Sequence, residues 1–232
     1  MADAGRVAAI TGAFGSLGAA VARLARERGW RLALIDAAPA SAAPADLAAG
    51  ALVLGGVDLT DAAGAAAAIG AVSERLGRLD ALFNIAGTFR WTTLEGSDAA
   101  LWELLFRVNL QTAANASRAA LPALKASGAG RIVNVGADAA TRAAAGMGPY
   151  AASKAGVARL TESLAEELKD AGVTVNAVAP TILDTPPNRA DMPDADFARW
   201  VQPADVAEVM LFLASDAARA VTGALVRVAN RT

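Results

Sequence analysis

The feature that most constrains this 232-residue chain is an apolar run, Val7–Thr11, that meets three glycines, Gly12, Gly15 and Gly18, and passes straight into a helical pattern from Ser16. Glycines let a backbone turn tightly and approach a bound group. A helix N-terminus adds free N–H groups and the positive end of a dipole. A lone glycine pattern is weak evidence, because such turns between strand and helix are common for structural reasons. Here the turn has a strand pattern before it and a helix pattern after it, and Asp36 ends the second apolar run about twenty residues on. A carboxylate there accepts bonds from ribose hydroxyls and repels a 2′-phosphate. The unit points to NAD (NADH) rather than NADP, since Ala37 and Ala38, not an arginine, follow Asp36. On a purely structural reading, the aspartate caps the turn after its strand.

Downstream, short apolar runs alternate with longer helical patterns, which predicts βαβ units and a parallel sheet. Candidate strands are Val7–Thr11, Arg31–Asp36, Leu52–Asp58, Leu79–Asn84, Arg131–Val135, Thr174–Ala179 and Leu225–Ala229. Candidate helices are Ser16–Arg28, Ala62–Leu76, Ala99–Ser127, Tyr150–Ala171 and Pro203–Ser215, with a loop and at most one helical turn over Pro39–Ala49. Within Ala99–Ser127, Leu101, Leu104, Leu105, Val108 and Ala113 recur at helical spacing and predict one buried stripe. No repeat or linker divides the chain, so residues 1–232 are expected to form a single α/β domain: a doubly wound parallel sheet of about seven strands with helices on both faces.

Composition narrows the chemistry. The chain has no histidine and no cysteine, which excludes imidazole acid/base work, thiol nucleophiles and Cys/His zinc sites. No metal is expected. A net charge of −2 and no basic run argue against nucleic acid or an anionic membrane as partner. The hydrophobic fraction of 55% is largely alanine, and no stretch has the sustained large apolar residues of a membrane span. The first apolar run is too short for a signal-peptide core, so the expected location is the cytoplasm.

If this chain moves protons, tyrosine, lysine or a carboxylate must do it. Tyr150-Ala-Ala-Ser-Lys154 sets a phenol and an ammonium on one face of a predicted helix. A free phenol ionises near pKa ~10, and a neighbouring cation lowers that value. Asn109, a poor helix former in mid-helix, carries side-chain hydrogen bonds that must be placed.

Taken together, Thr11–Gly18, Asn84-Ile-Ala-Gly87, Asn109 and Tyr150-x-x-x-Lys154 give the chain a resemblance to the short-chain dehydrogenase/reductase family, running from Val7 to Val228. The resemblance implies a Rossmann-type fold and a hydride exchange between a nicotinamide and a small carbonyl, alcohol or imine. It implies cofactor contacts from Gly12, Phe14, Gly15, Ser16, Leu17 and Gly18, and from Asp36. It implies further contacts from Asp58 and Leu59 beside the adenine, from Asn84, Ala86 and Gly87 beneath the cofactor, and from Pro180, Ile182 and Thr185 beside the carboxamide. Tyr150 would be the proton donor, Lys154 its electrostatic partner and a ribose ligand, and Asn109 the holder of a relay water. Homodimers or homotetramers through Ala99–Ser127 and Tyr150–Ala171 are implied as well.

Two departures stand out. Ser16 occupies the position where the family's TGxxxGxG turn has its middle glycine. Counting thirteen residues back from Tyr150, where the family has a catalytic serine, gives Ala137. A methyl cannot donate to a developing oxyanion, and loss of such a donor costs roughly 3–4 kcal/mol. Gly136–Ala140, Gly146–Tyr150 and the stretch Leu183–Arg189 resemble quinonoid dihydropteridine reductases, which also lack the serine. An imine needs less oxyanion stabilisation than a ketone. Phe89 and Trp91 either stack on a flat substrate or pack as part of a lid, and Ala137 and Met147 complete the substrate-side set. Arg90 and Arg189 read as solvated charges, and Asp184, Asp194 and Asp196 as loop or cap residues. Ala137 also leaves open a silent dinucleotide-binding sensor.

Overall fold

The computed structural model describes residues 5–232; the first four residues of the expected domain lie outside the described residues. Seven strands form one parallel sheet: β1 (Val7–Thr11), β2 (Arg31–Ile35), β3 (Leu52–Leu54), β4 (Ala81–Asn84), β5 (Arg131–Val135), β6 (Thr174–Pro180) and β7 (Leu225–Val228). Their order is β3-β2-β1-β4-β5-β6-β7. The strands are apolar on both faces because helices cover both. In β1, Ala8 and Ile10 face one core cluster, with α1 (Ser16–Glu27) and α8 (Pro203–Leu213). Val7 and Ala9 face the other cluster, with α3 (Ala62–Leu76), α5 (Thr112–Ala126) and α6 (Gly148–Leu168). The alternation of successive side chains thus builds two cores from one strand.

Helix ends follow local chemistry. Asp61 caps α3 by accepting from the N–H groups of Ala63 and Gly64, and Gly77 closes it in the left-handed region at φ 78°. Asp98 caps α4 (Ala99–Phe106) by accepting from Leu101 N–H at 2.8 Å. Prolines stand in the first turn of α6, α7 (Pro186–Asp191) and α8, where a missing N–H is harmless. The Pro39–Ala49 loop holds a short 3-10 turn at Ala40–Ala42 and one helical turn, α2 (Ala45–Ala48).

Two expected elements change. β3 ends at Leu54 rather than Asp58, because Gly56 turns into the left-handed region (φ +71°) and Gly55 passes so close to Ala40 that no side chain would fit. The expected helix over Ala99–Ser127 is interrupted: Arg107–Gln111 forms a π-helical turn between α4 and α5. Such turns insert one residue and often mark functional positions. This one carries Asn109 inward, where it is fully buried. The rotation also breaks the expected stripe. Leu105 and Ala113 are buried, but Leu104 is exposed beside Trp102 and Phe106. Among the described residues, no helix is long and apolar enough to cross a membrane.

Candidate active site

The connection from β1 runs to β2 on one side of the sheet, while β4 lies on its other side. Such a reversal opens a crevice at the carboxyl ends of the strands. A cleft of about 740 Å³ lies there, lined by Gly12, Phe14, Gly15, Ser16, Leu17, Gly18, Asp36, Asp58, Leu59, Ala86, Gly87 and Thr185 of the expected set. Ala37, Ala38, Ala42, Val57, Thr60, Ile85, Val108 and Thr112 complete the lining.

The glycines differ in what they are for. Gly12 sits at φ +64°, and a Cβ there would stand 2.8 Å from Ala86 N. A Cβ on Gly18 would stand 2.1 Å from the Gly12 carbonyl oxygen. These two are demanded by the turn itself. Gly15, the N-cap of α1, has ordinary φ and ψ and room for a methyl. No side chain caps α1, so its first-turn N–H groups are left to what fills the cleft. Gly15 and Ser16 are exposed there, so the substituted middle position closes nothing off. A pyrophosphate fits this cradle.

Asp36 follows β2 directly. Its Oδ2 accepts from Phe14 N–H at 2.9 Å and its Oδ1 from Ala38 N–H at 3.0 Å. The carboxylate thus caps its own turn and ties it to the glycine turn, while remaining on the cleft wall. Asp58 accepts from the backbone and hydroxyl of Thr60, and those bonds hold its carboxyl below the usual range. The cleft wall contains these two carboxylates and no lysine or arginine.

Thr11 anchors the turn after β4, its hydroxyl accepting from the N–H groups of Ile85 and Ala86 at 3.0 and 3.2 Å. The Asn84 side chain faces inward rather than into the cleft. It donates to Ser117 Oγ and Asn134 Oδ1, and Asn134 donates onward to Thr161. Pro180 is buried in β6, and Ile182 holds the segment beyond it by accepting from Val201 N–H. Neither belongs to the cleft lining.

Behind Gly87 two side chains converge. A Cβ on Gly87 would lie 3.0 Å from Asn109 Oδ1 and 3.3 Å from Lys154 Nζ. Asn109 accepts from Thr88 N–H at 2.7 Å and donates to Ser153 Oγ at 2.9 Å, which in turn donates to the Tyr150 carbonyl at 2.7 Å. Lys154 donates to the Val135 carbonyl at 2.8 Å. Sequence reasoning expects this cation to acidify the phenol, but burial dominates in the structure. It pushes Tyr150 up to about 12 and Lys154 down to about 8.

Phe89 meets the Tyr150 ring edge-on, with centroids 4.9 Å apart and planes at 88°. Trp91 donates from Nε1 to the Ala145 carbonyl at 3.1 Å, across to the loop that carries Met147. Ala137 is 5% exposed in extended backbone at the end of β5, and Asp138 beside it pairs with Arg227 at 2.6 Å. Arg189, expected to be a solvated charge, pairs with Asp184 at 2.5 Å and lies over Phe197. Arg189 and Gln202 hold the Asp184 carboxyl down to about 2. Asp196 caps a short turn by accepting from Ala198 N–H. Sequence reasoning misses Thr88 and Ser153, and reads Thr11 only as the first residue of the glycine turn. Ser153 lies inside the Tyr-x-x-x-Lys spacing, but its bond to Asn109, like those of Thr11 to Ile85 and Ala86 and of Thr88 to Asn109, spans distant parts of the chain that no local pattern announces.

The parallel sheet, its switch-point cleft and the glycine turn that opens α1 define a Rossmann-like α/β protein. A family model described as short chain dehydrogenase matches residues 6–196, and the chain belongs to the short-chain dehydrogenase/reductase family of enzymes. It is 38% identical over 239 residues to a cis-4-hydroxycyclohexanecarboxylate dehydrogenase of Sinomonas cyclohexanicum, covering 96% of this chain and 94% of that one. It is 33% identical to the 3-oxoacyl-(acyl-carrier-protein) reductase FabG of Vibrio harveyi, covering 97% and 96%. Carveol dehydrogenase from Mycobacterium avium, solved in complex with NAD, superposes with a TM-score of 0.86 at 28% identity, covering 97% of this chain and 96% of that one.

Proposed function

We propose that the protein is an NAD(H)-preferring oxidoreductase that interconverts a small alcohol and its carbonyl, with Tyr150 exchanging the proton at the substrate oxygen. The observation that carries this reading is the meeting of Asn109 and Lys154 behind Gly87, one helical turn from Tyr150. A bound nicotinamide dinucleotide would supply the hydride and, when oxidised, a positive charge. Gly12–Gly18 would hold its pyrophosphate, and Asp36 its adenosine ribose. Asp36 is followed by Ala37 and Ala38 rather than by a cation that could meet a 2′-phosphate, which supports NAD over NADP.

In reduction, the Tyr150 hydroxyl donates to the substrate oxygen and gives up its proton. Lys154 stabilises the resulting phenolate from the same helix face. Asn109 keeps the π-helical turn, the β4 loop and the first turns of α6 in register through Thr88 and Ser153. Ala137 supplies no donor, so the oxyanion rests on Tyr150 alone. The relatives above are named as a cis-4-hydroxycyclohexanecarboxylate dehydrogenase, a carveol dehydrogenase and a 3-oxoacyl-(acyl-carrier-protein) reductase, which supports an alcohol or carbonyl substrate over a quinonoid dihydropterin. The exposed apolar group Trp102, Leu104 and Phe106 on α4 supports self-association there.

Replacing Tyr150 by Phe tests the reading. NADH affinity should persist while turnover of a cyclic alcohol and ketone panel falls by about four orders of magnitude or more, as for loss of a central proton-transfer group. Turnover retained in that variant would refute it.

A further inference from the structure

We propose that Trp91 is a positioning residue: it latches the loop after β4 to the turn that opens α6, and so fixes where Tyr150 stands. The proposal rests on the reading of Tyr150 as the proton-exchanging group. Trp91 is 62% exposed, so burial does not explain its place. Its indole N–H donates to the Ala145 carbonyl at 3.1 Å, and Thr92 N–H donates to the Gly146 carbonyl at 2.8 Å. The ring stands so close to Gly146 that a Cβ there would lie 2.1 Å from Trp91 Cε2. Gly146 also sits at φ +75°, a conformation glycine adopts without strain.

This turn leads straight into the helix that carries the tyrosine. Met147 N–H donates to the Ala144 carbonyl at 3.2 Å, and Ala151 N–H donates to the Met147 carbonyl at 2.7 Å. From the other side, the same loop grips the site at Thr88, through Asn109, and at Phe89, through its edge-on contact with the Tyr150 ring. Tyr150 is therefore held between two parts of one loop: Phe89 against its ring and Trp91 against the turn beneath it. Freeing Trp91 loosens both holds and lets water reach the phenol.

Tyr150 is the only tyrosine in the chain, so its ionisation can be read by ultraviolet absorbance without any substrate. In the full-length protein, Trp91→Ala should lower its titration midpoint by about one unit or more, toward the ordinary value near ~10. Trp91→Phe, which keeps a ring on Gly146 but no donor, should fall between that variant and the parent. Gly146→Ala attacks the latch from its other side and should shift the midpoint the same way. The charged groups on the surrounding elements, Lys154, Arg90, Asp138, Arg142, Asp184 and Arg189, stay in place in all three. NADH affinity should hold within about twofold, since Trp91 is not on the cleft wall, and kcat should fall by about tenfold to a hundredfold with KM little changed. An unmoved midpoint in Trp91→Ala, or a raised KM at unchanged kcat, would overturn the latch. Undiminished turnover in Tyr150→Phe would instead defeat the underlying reading and leave the titration result standing.

Discussion

Lys154 Nζ donates to the Val135 carbonyl at 2.8 Å from a side chain only 4% exposed. One neutral acceptor does not replace the hydration of an ammonium, and burial accordingly lowers Lys154 to about 8. The same burial raises Tyr150 to about 12. The two groups are therefore poised for a further positive charge in the cleft, which would favour the phenolate over the phenol.

The lysine has a measurable consequence for stability. Between pH 8 and its ordinary value near 10.5, the unfolded chain holds a proton on Lys154 that the folded chain has lost, so stability rises with pH across that window. Below pH 8 the cost of burying the charge is fully present. Relative to Lys154→Met, the parent protein should gain on the order of 3 kcal/mol between the two limits. Denaturant titrations at several pH values read this difference. A pH-independent difference would show that the ammonium is well solvated.

Asp36 should matter to cofactor choice even though it caps its own turn. Replacing it with Ala removes a charged acceptor worth about 1.5–3 kcal/mol, so NADH should bind roughly tenfold to a hundredfold more weakly. Discrimination against NADPH should relax at the same time. Calorimetric titration with both cofactors checks this, and an unchanged preference would remove Asp36 from the site.

Ala137→Ser restores a hydroxyl at the end of β5. For a ketone substrate, the added donor should raise kcat by up to roughly 10²-fold. A substrate whose turnover is indifferent to the change gathers little charge on oxygen, as a quinonoid imine would. Steady-state rates for the two variants on one substrate panel separate the cases.

The glycine turn divides into structural and permissive positions. Gly18→Ala forces a methyl to within 2.1 Å of the Gly12 carbonyl and should cost about 1–3 kcal/mol, lowering the thermal midpoint by about 5 °C. Gly15→Ala meets nothing closer than 3.6 Å and should leave the midpoint unchanged. Calorimetry on both variants reads the contrast.

The strands, the glycine turn and the Tyr150–Lys154 pair were legible because each is a local pattern with a fixed period or spacing. Elements set by distant contacts were not. Nothing near Asn109 announces the π-helical turn, which is stabilised by Thr88 and Ser153 from elsewhere in the chain. The inward turn of Asn84 depends on Ser117 and Asn134, and the early end of β3 on the approach of Gly55 to Ala40. Gly146 reads as an ordinary loop glycine until Trp91, far back in the sequence, is brought against it. The burial that raises Tyr150 is a tertiary effect as well, and helix spacing alone does not reveal it.

Ultraviolet titration of the single tyrosine, with and without saturating NAD⁺, decides whether Tyr150 works as a proton exchanger. Alone, the phenol should stay protonated well above pH ~10; with NAD⁺ bound, the midpoint should fall by about two units or more. A midpoint that NAD⁺ leaves where it was would contradict the proton-transfer role assigned to this pair.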